Sequence, residues 1–184
     1  MANLKEIRTR ITSVKSTRQI TNAMKMVSAA KLRKAQNAIT QLRPYANKLN
    51  EILSRLGDVK GGSAENIYAA ERPEEHVLLI AISSNRGLCG PFNANVVKKT
   101  IELTEGQYAE QYRKGNVSIY TIGSKSGQIL HAKGYKIDAH FNTLYDDLNY
   151  NNVAEIAEKL MVFFTDKKFD KIEIIYNRFK NAAV

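Results

Sequence analysis

The sequence predicts an α/β protein in which a long coiled-coil helix precedes a small domain built on a mostly parallel sheet with flanking helices. Three observations carry that expectation. From Leu4 to Leu56 there is no glycine, and apolar residues recur at alternating steps of three and four. A stretch rich in glycine, serine and proline follows. From residue 76 onward, short apolar runs alternate with helical patterns.

The helical seam begins at Leu4, Ile7, Ile11 and Val14 and resumes at Leu32, Ala35, Ile39, Leu42, Ala46, Leu49, Leu53 and Leu56. This is the heptad of a coiled coil, and at the helical rise it predicts a rod of about 80 Å. Between the two halves the same register falls on Arg18, Thr21, Lys25 and Ser28, while Ile20, Met24 and Val27 lie one position earlier. That offset turns the apolar stripe by about 100°, so the middle of the rod faces something different. Pro44 removes one backbone donor and predicts a bend near residues 41–43. A helix of this length needs a companion for its seam, and no later stretch matches it in length and period.

Residues 57–75 read as a linker, with Gly57, Gly61, Gly62, Ser63 and Pro73. The organisation is therefore a helix over 1–58, a linker over 59–75 and a domain over 76–184. Within the domain, strands are predicted at 76–83, 117–122, 135–141 and 171–176. Helices are predicted at 93–114, 124–132 and 152–166. Strands alternating with helices imply a Rossmann-like sheet covered on both faces.

Composition narrows the function. No apolar run approaches the length of a membrane span, and the basic start lacks the apolar stretch of a secretory signal. Cys89 is the only cysteine, so an internal disulfide is impossible. His76, His131 and His140 are too scattered to suggest a metal site. Of the net charge of +10, residues 1–58 supply +9: twelve Lys and Arg against Glu6, Glu51 and Asp58. An acidic partner is expected there. Nucleic acid is the rival reading, but the helix carries a single aromatic, Tyr45, and no base-reading module.

The loop SSNRGLCGPFN, residues 83–93, links the first strand to the first helix, where open α/β sheets bind ligands. Its Gly87 and Gly90 lack the spacing of a dinucleotide fingerprint, and no Walker-type phosphate loop occurs in the chain. Neither IGSKSG, residues 122–127, nor the pair Asp146–Asp147 assembles a reactive constellation. No cofactor and no catalytic residue is expected, and Arg86 marks this loop as a docking element.

Two stretches resemble a known family. IRTRITSVKSTRQITNAMKMVSAAKLRKAQ, residues 7–36, is similar to the first helix of the gamma subunits of F-type ATP synthases, and SSNRGLCGPFN is similar to that family's loop. Asn85 and Pro91 depart from the family's Asp and Gly. The resemblance implies a central-stalk rotor subunit on the cytoplasmic face of the bacterial inner membrane, peripheral to it. It implies contacts with the alpha, beta, epsilon and c subunits and no catalytic site of its own. Position by position it marks Arg8, Met24, Lys25, Arg33 and Arg86 as the interface with alpha and beta. The family continues for about a hundred further residues, ending in a helix that pairs with residues 4–56. A fragment lacking that helix is expected to self-associate through Leu32–Leu56 or to leave its arm frayed.

Overall fold

A computed structural model of the protein describes residues 3–58, 68 and 72–179; the side chains of 56–58 lie outside the described set. The chain divides into two compact units, residues 1–64 and 65–184. Most of the linker, residues 59–67 and 69–71, also lies outside the described residues.

The first unit is one helix, α1, Leu4–Asp58. Asn3 starts it, its Oδ1 accepting from the Lys5 N–H at 3.2 Å. Glu6 in the first turn and Arg55 in the last complement the helix dipole. The helix runs through Pro44, which cannot donate to the Thr40 carbonyl one turn back. Thr9, Thr12, Thr21, Thr40 and Ser54 return their hydroxyls to carbonyls four residues earlier, so these polar side chains are satisfied within the helix.

The second unit holds a four-stranded sheet in the order β3-β2-β1-β4, from β1 (Val77–Ile82), β2 (Val117–Ile122), β3 (Ala139–Phe141) and β4 (Lys171–Ile175). Every pairing is parallel: Val77 faces Val117 and Lys171, and Tyr120 faces Ala139. Parallel neighbours require crossovers, supplied by α2 (Phe92–Glu102), α4 (Ser124–Ala132) and α5 (Tyr150–Thr165). The central strand VLLIAI is buried on both sides and divides the core by alternation. Val77, Leu79 and Ala81 meet Val96 and Val97 of α2 and Leu130 of α4 on one face. On the other, Leu78 and Ile80 meet Phe169 with Leu160 and Phe163 of α5.

Two elements differ from expectation. The helix predicted over 93–114 is interrupted by a π-helical turn, Leu103–Gln107, before the short α3, Ala109–Arg113. There the Tyr108 N–H reaches back five residues to the Leu103 carbonyl at 2.8 Å. The wide turn delivers the buried Tyr108 hydroxyl to Glu173 at 2.7 Å. The strand predicted over 135–141 is shortened to Ala139–Phe141: the Asp138 N–H still donates to the Ile119 carbonyl at 3.0 Å, but the Ile119 N–H goes to Asp138 Oδ2 at 3.3 Å in place of a backbone carbonyl. The ring of Tyr135 instead turns into the core, its hydroxyl bonded to Glu105.

Part of the predicted linker is fixed to the second unit. Arg72 lies 4.2 Å over the Phe164 ring and donates to the Phe164 carbonyl at 3.0 Å, closing the carboxyl end of α5. Tyr68 stacks on Phe164 with ring centres 6.3 Å apart.

Candidate partner-docking surfaces

The seam of α1 is open to solvent. Leu4, Ile7, Ile11, Val14, Leu32, Ile39, Leu42, Leu49 and Leu53 are all exposed, from 36% at Ile39 to 75% at Leu4. Leu56 belongs to the seam, but its side chain lies outside the described set. The offset stripe of Ile20, Met24 and Val27 is equally bare. The ion pairs of Glu6 and Glu51 sit towards the ends of this helix: Arg10 with Glu6 at 2.6 Å, and Lys48 and Arg55 with Glu51 at 2.8 and 2.5 Å. No acidic residue lies between Glu6 and Glu51, so the sequence offers the cations from Lys15 to Lys34 no carboxylate on their own helix within one turn.

Of the residues the resemblance marks, Arg8, Met24, Lys25 and Arg33 are exposed on this helix. Helical geometry places Arg8 and Arg33 on nearly the same side, about 38 Å apart along the axis, with Lys25 about 100° around from Met24. Arg8 lines an open groove with Lys5, Thr9, Thr12 and Ser13. Arg86 belongs to the other unit.

Arg86 lies in the loop 83–93 at the carboxyl edge of the sheet. This loop is held by its own polar groups. Asn93, buried at the start of α2, accepts the Ser84 N–H at 3.0 Å and donates to Cys89 Sγ at 3.1 Å. Ser84 Oγ donates to the Arg86 carbonyl. Asn85 reaches two neighbours: its Oδ1 accepts from the Ser124 N–H at 2.9 Å, and its Nδ2 donates to the Asn142 carbonyl at 2.9 Å. Tyr145 donates its hydroxyl to the Ser83 carbonyl at 2.9 Å, and burial pushes its phenol pKa up. Asn177, just past β4, donates to the Phe92 carbonyl at 2.8 Å.

These contacts occupy the amino end of α4. Its first three N–H groups, from Ser124, Lys125 and Ser126, go to Asn85 Oδ1, the Ser84 carbonyl and Ser83 Oγ at 2.9, 3.1 and 2.9 Å. A helix start beside the carboxyl edge of a parallel sheet is where such folds hold phosphate. Here the donors are already engaged by the chain. Gly123 permits the approach: its φ is +90°, and a Cβ there would lie 2.2 Å from the Ser83 oxygen. Beside it, an open recess of about 450 Å³ is lined by Ser83, Ser84, Asn85, Arg86, Phe92, Tyr145 and Asp146.

Two further reactive side chains, His140 and Asp147, have structural partners. His140 Nδ1 lies 2.9 Å from Thr121 Oγ1, and Asp147 accepts from Asn149 and Asn152 at the start of α5. Among the described residues, no group of three His, Cys, Asp or Glu is placed to hold a metal, and no helix is long and apolar enough to cross a membrane. Sequence reasoning missed the engagement of α4 by Ser83–Asn85 and the latch at Tyr145. The one available signal was the Asn85 departure from the family's acid. It also missed Leu88, whose backbone takes φ +60° with its side chain wholly in solvent.

Comparison with known proteins agrees with this geometry. The family model described as ATP synthase matches residues 3–184. An ATP synthase gamma chain of Christiangramia forsetii is 52% identical over 183 residues, covering 100% of this chain and 62% of the relative. One from Flavobacterium johnsoniae is also 52% identical with the same coverage, so the chain spans about 62% of the length of these curated relatives. A chain from the cryo-EM structure of the rotor of Euglena gracilis mitochondrial ATP synthase, in rotational state 1, superposes with TM-score 0.58 at 20% identity. It covers 96% of this chain and 58% of that one, a likeness of fold alone. With two separate units that fit the pattern and a family match across nearly every residue, the chain belongs to the ATP synthase gamma-chain family.

Proposed function

We propose that the chain serves as the central-stalk rotor subunit of an F-type ATP synthase, coupling proton-driven rotation of the c ring to ATP synthesis at the beta subunits. It acts by mechanical contact and holds no catalytic site or cofactor. The observation that carries this reading is the continuous helix Leu4–Asp58, with an exposed seam and an almost acid-free basic surface. Such a helix is unstable alone in water, so its seam is assigned to a companion helix in the same full-length subunit. The basic surface is assigned to acidic segments of the alpha and beta subunits, met through Arg8, Met24, Lys25 and Arg33, with Arg86 meeting them from the loop. The α/β unit is assigned to the epsilon subunit and the c ring, at the cytoplasmic face of the bacterial inner membrane.

The offset of Ile20, Met24 and Val27 suits a rotor, because a stripe that changes side cannot lock into one deep apolar groove of a sleeve. Reconstitution tests the reading: the full-length chain added to purified alpha and beta subunits is expected to yield cooperative ATP hydrolysis. Folded components that give none would remove the proposal. A stoichiometric, salt-dependent shift of DNA by the chain at physiological ionic strength, without assembly, would favour the nucleic-acid alternative.

A further inference from the structure

We infer that His131 and His140 form a two-imidazole site for a divalent transition ion, which clips the edge strand β3 to α4. One lies near the carboxyl end of a helix and the other in the middle of a strand, so spacing in the sequence does not pair them. In the folded unit both line one open recess of about 370 Å³, with Ser124, Gly127, Gln128 and Asn142. Gly127 makes the seat. A Cβ there would lie 3.1 Å from both Cε1 and Nδ1 of His140, so the imidazole rests on bare helix backbone. His131 stands one turn further along the same face of α4, and helical side chains lean back towards the amino end, which carries its ring over Gly127. Cβ positions four residues apart are separated by about 6 Å. One imidazole and a metal–nitrogen bond of about 2 Å span that gap.

The ligand chemistry is set as well. His140 Nδ1 lies 2.9 Å from Oγ1 of the buried Thr121. With its proton donated there, Nε2 keeps the lone pair, and the ring is held as a ligating imidazole must be. The His131 ring is exposed and takes no hydrogen bond or ion pair among the described residues, so both its nitrogens are open to an ion. Two imidazoles select zinc, nickel or copper over magnesium, with water in the remaining positions. β3 has three residues and pairs with β2 alone, so a bond to α4 adds a hold that its short ladder lacks.

The test titrates zinc chloride into the metal-free full-length chain, prepared without a histidine tag, by calorimetry. Imidazole Hε1 signals are followed in parallel by NMR. One zinc per chain is expected, moving the signals of His131 and His140 together and leaving that of His76 in place. Zinc at a hundred times its Kd is expected to raise Tm by about 4 °C, and magnesium to leave it unchanged. His131→Ala removes an exposed side chain, so its zinc-free Tm is expected to match the parent while zinc binding weakens about a hundredfold. Cys89→Ser and His76→Ala are expected to bind zinc as the parent does. The site is overturned if the parent shows no saturable zinc binding, or if His131→Ala binds as tightly as the parent. Zinc binding lost in Cys89→Ser or His76→Ala would place the ion elsewhere and overturn it too.

Discussion

Asn85 shows how much one side chain settles at the residue scale. Its amide both accepts and donates, joining the Ser124 N–H to the Asn142 carbonyl, whereas an aspartate there keeps only the acceptor. Asn85→Ala is expected to cost about 2 kcal/mol in urea unfolding, roughly two hydrogen bonds. Asn85→Asp is expected to fall between parent and alanine. An aspartate variant as unstable as alanine would show that the bond to Ser124 contributes nothing. Gly123 is the stricter position. Gly123→Ala sets a methyl 2.2 Å from the Ser83 oxygen at φ +90°, and a loss of at least about 3 kcal/mol is expected. Gly115→Ala meets open space at φ +77°, so the expected loss is only about 1 kcal/mol. Equal losses at the two glycines would refute the close approach.

Among elements, α1 was the most legible, because an unbroken period without glycine admits few alternatives. β2 and α4 also fall at their predicted limits. The π turn at Leu103–Gln107 was not legible, since the contact that accompanies it, the Tyr108 hydroxyl to Glu173, lies sixty-five residues further along the chain. The shortened β3 has a similar origin, in a side chain of Asp138 that takes the place of backbone. In the loop, Arg86 could be read from charge and context. The backbone of Leu88 could not, because closure between β1 and α2 imposes it. Two predictions belong at this scale. Pro44→Ala restores a donor for Thr40 and is expected to strengthen the helix by about 3 kcal/mol. Circular dichroism at 222 nm should then show α1 melting at higher temperature; an unchanged melt would contradict it. Arg72→Ala removes both the bond to Phe164 and the cation over its ring, with an expected cost of about 1–2 kcal/mol by urea unfolding. No change would mean that the strap is loose in solution.

For the molecule as a whole, alkaline pH probes the tyrosines. Burial, then the Glu105 carboxylate, pushes the Tyr135 phenol from 10.0 up to about 12, and Tyr108 moves the same way through burial and Glu173. The folded chain holds these protons more tightly than the unfolded chain does. Their contribution to stability is therefore whole below about pH 10 and is lost as the pH rises through 12. Tyr135→Phe is expected to flatten, in part, the fall of Tm over that window, and an equally steep fall would contradict the assignment. The start of α4 carries a last consequence. Ser83, Ser84 and Asn85 fill, from within, the seat where a sheet of this kind would take a nucleotide's charge. The same three residues thereby rivet the Arg86 loop to the body of the domain. A push delivered at that loop would pass straight into the sheet instead of being absorbed by give in the backbone, as the rotor role proposed above requires.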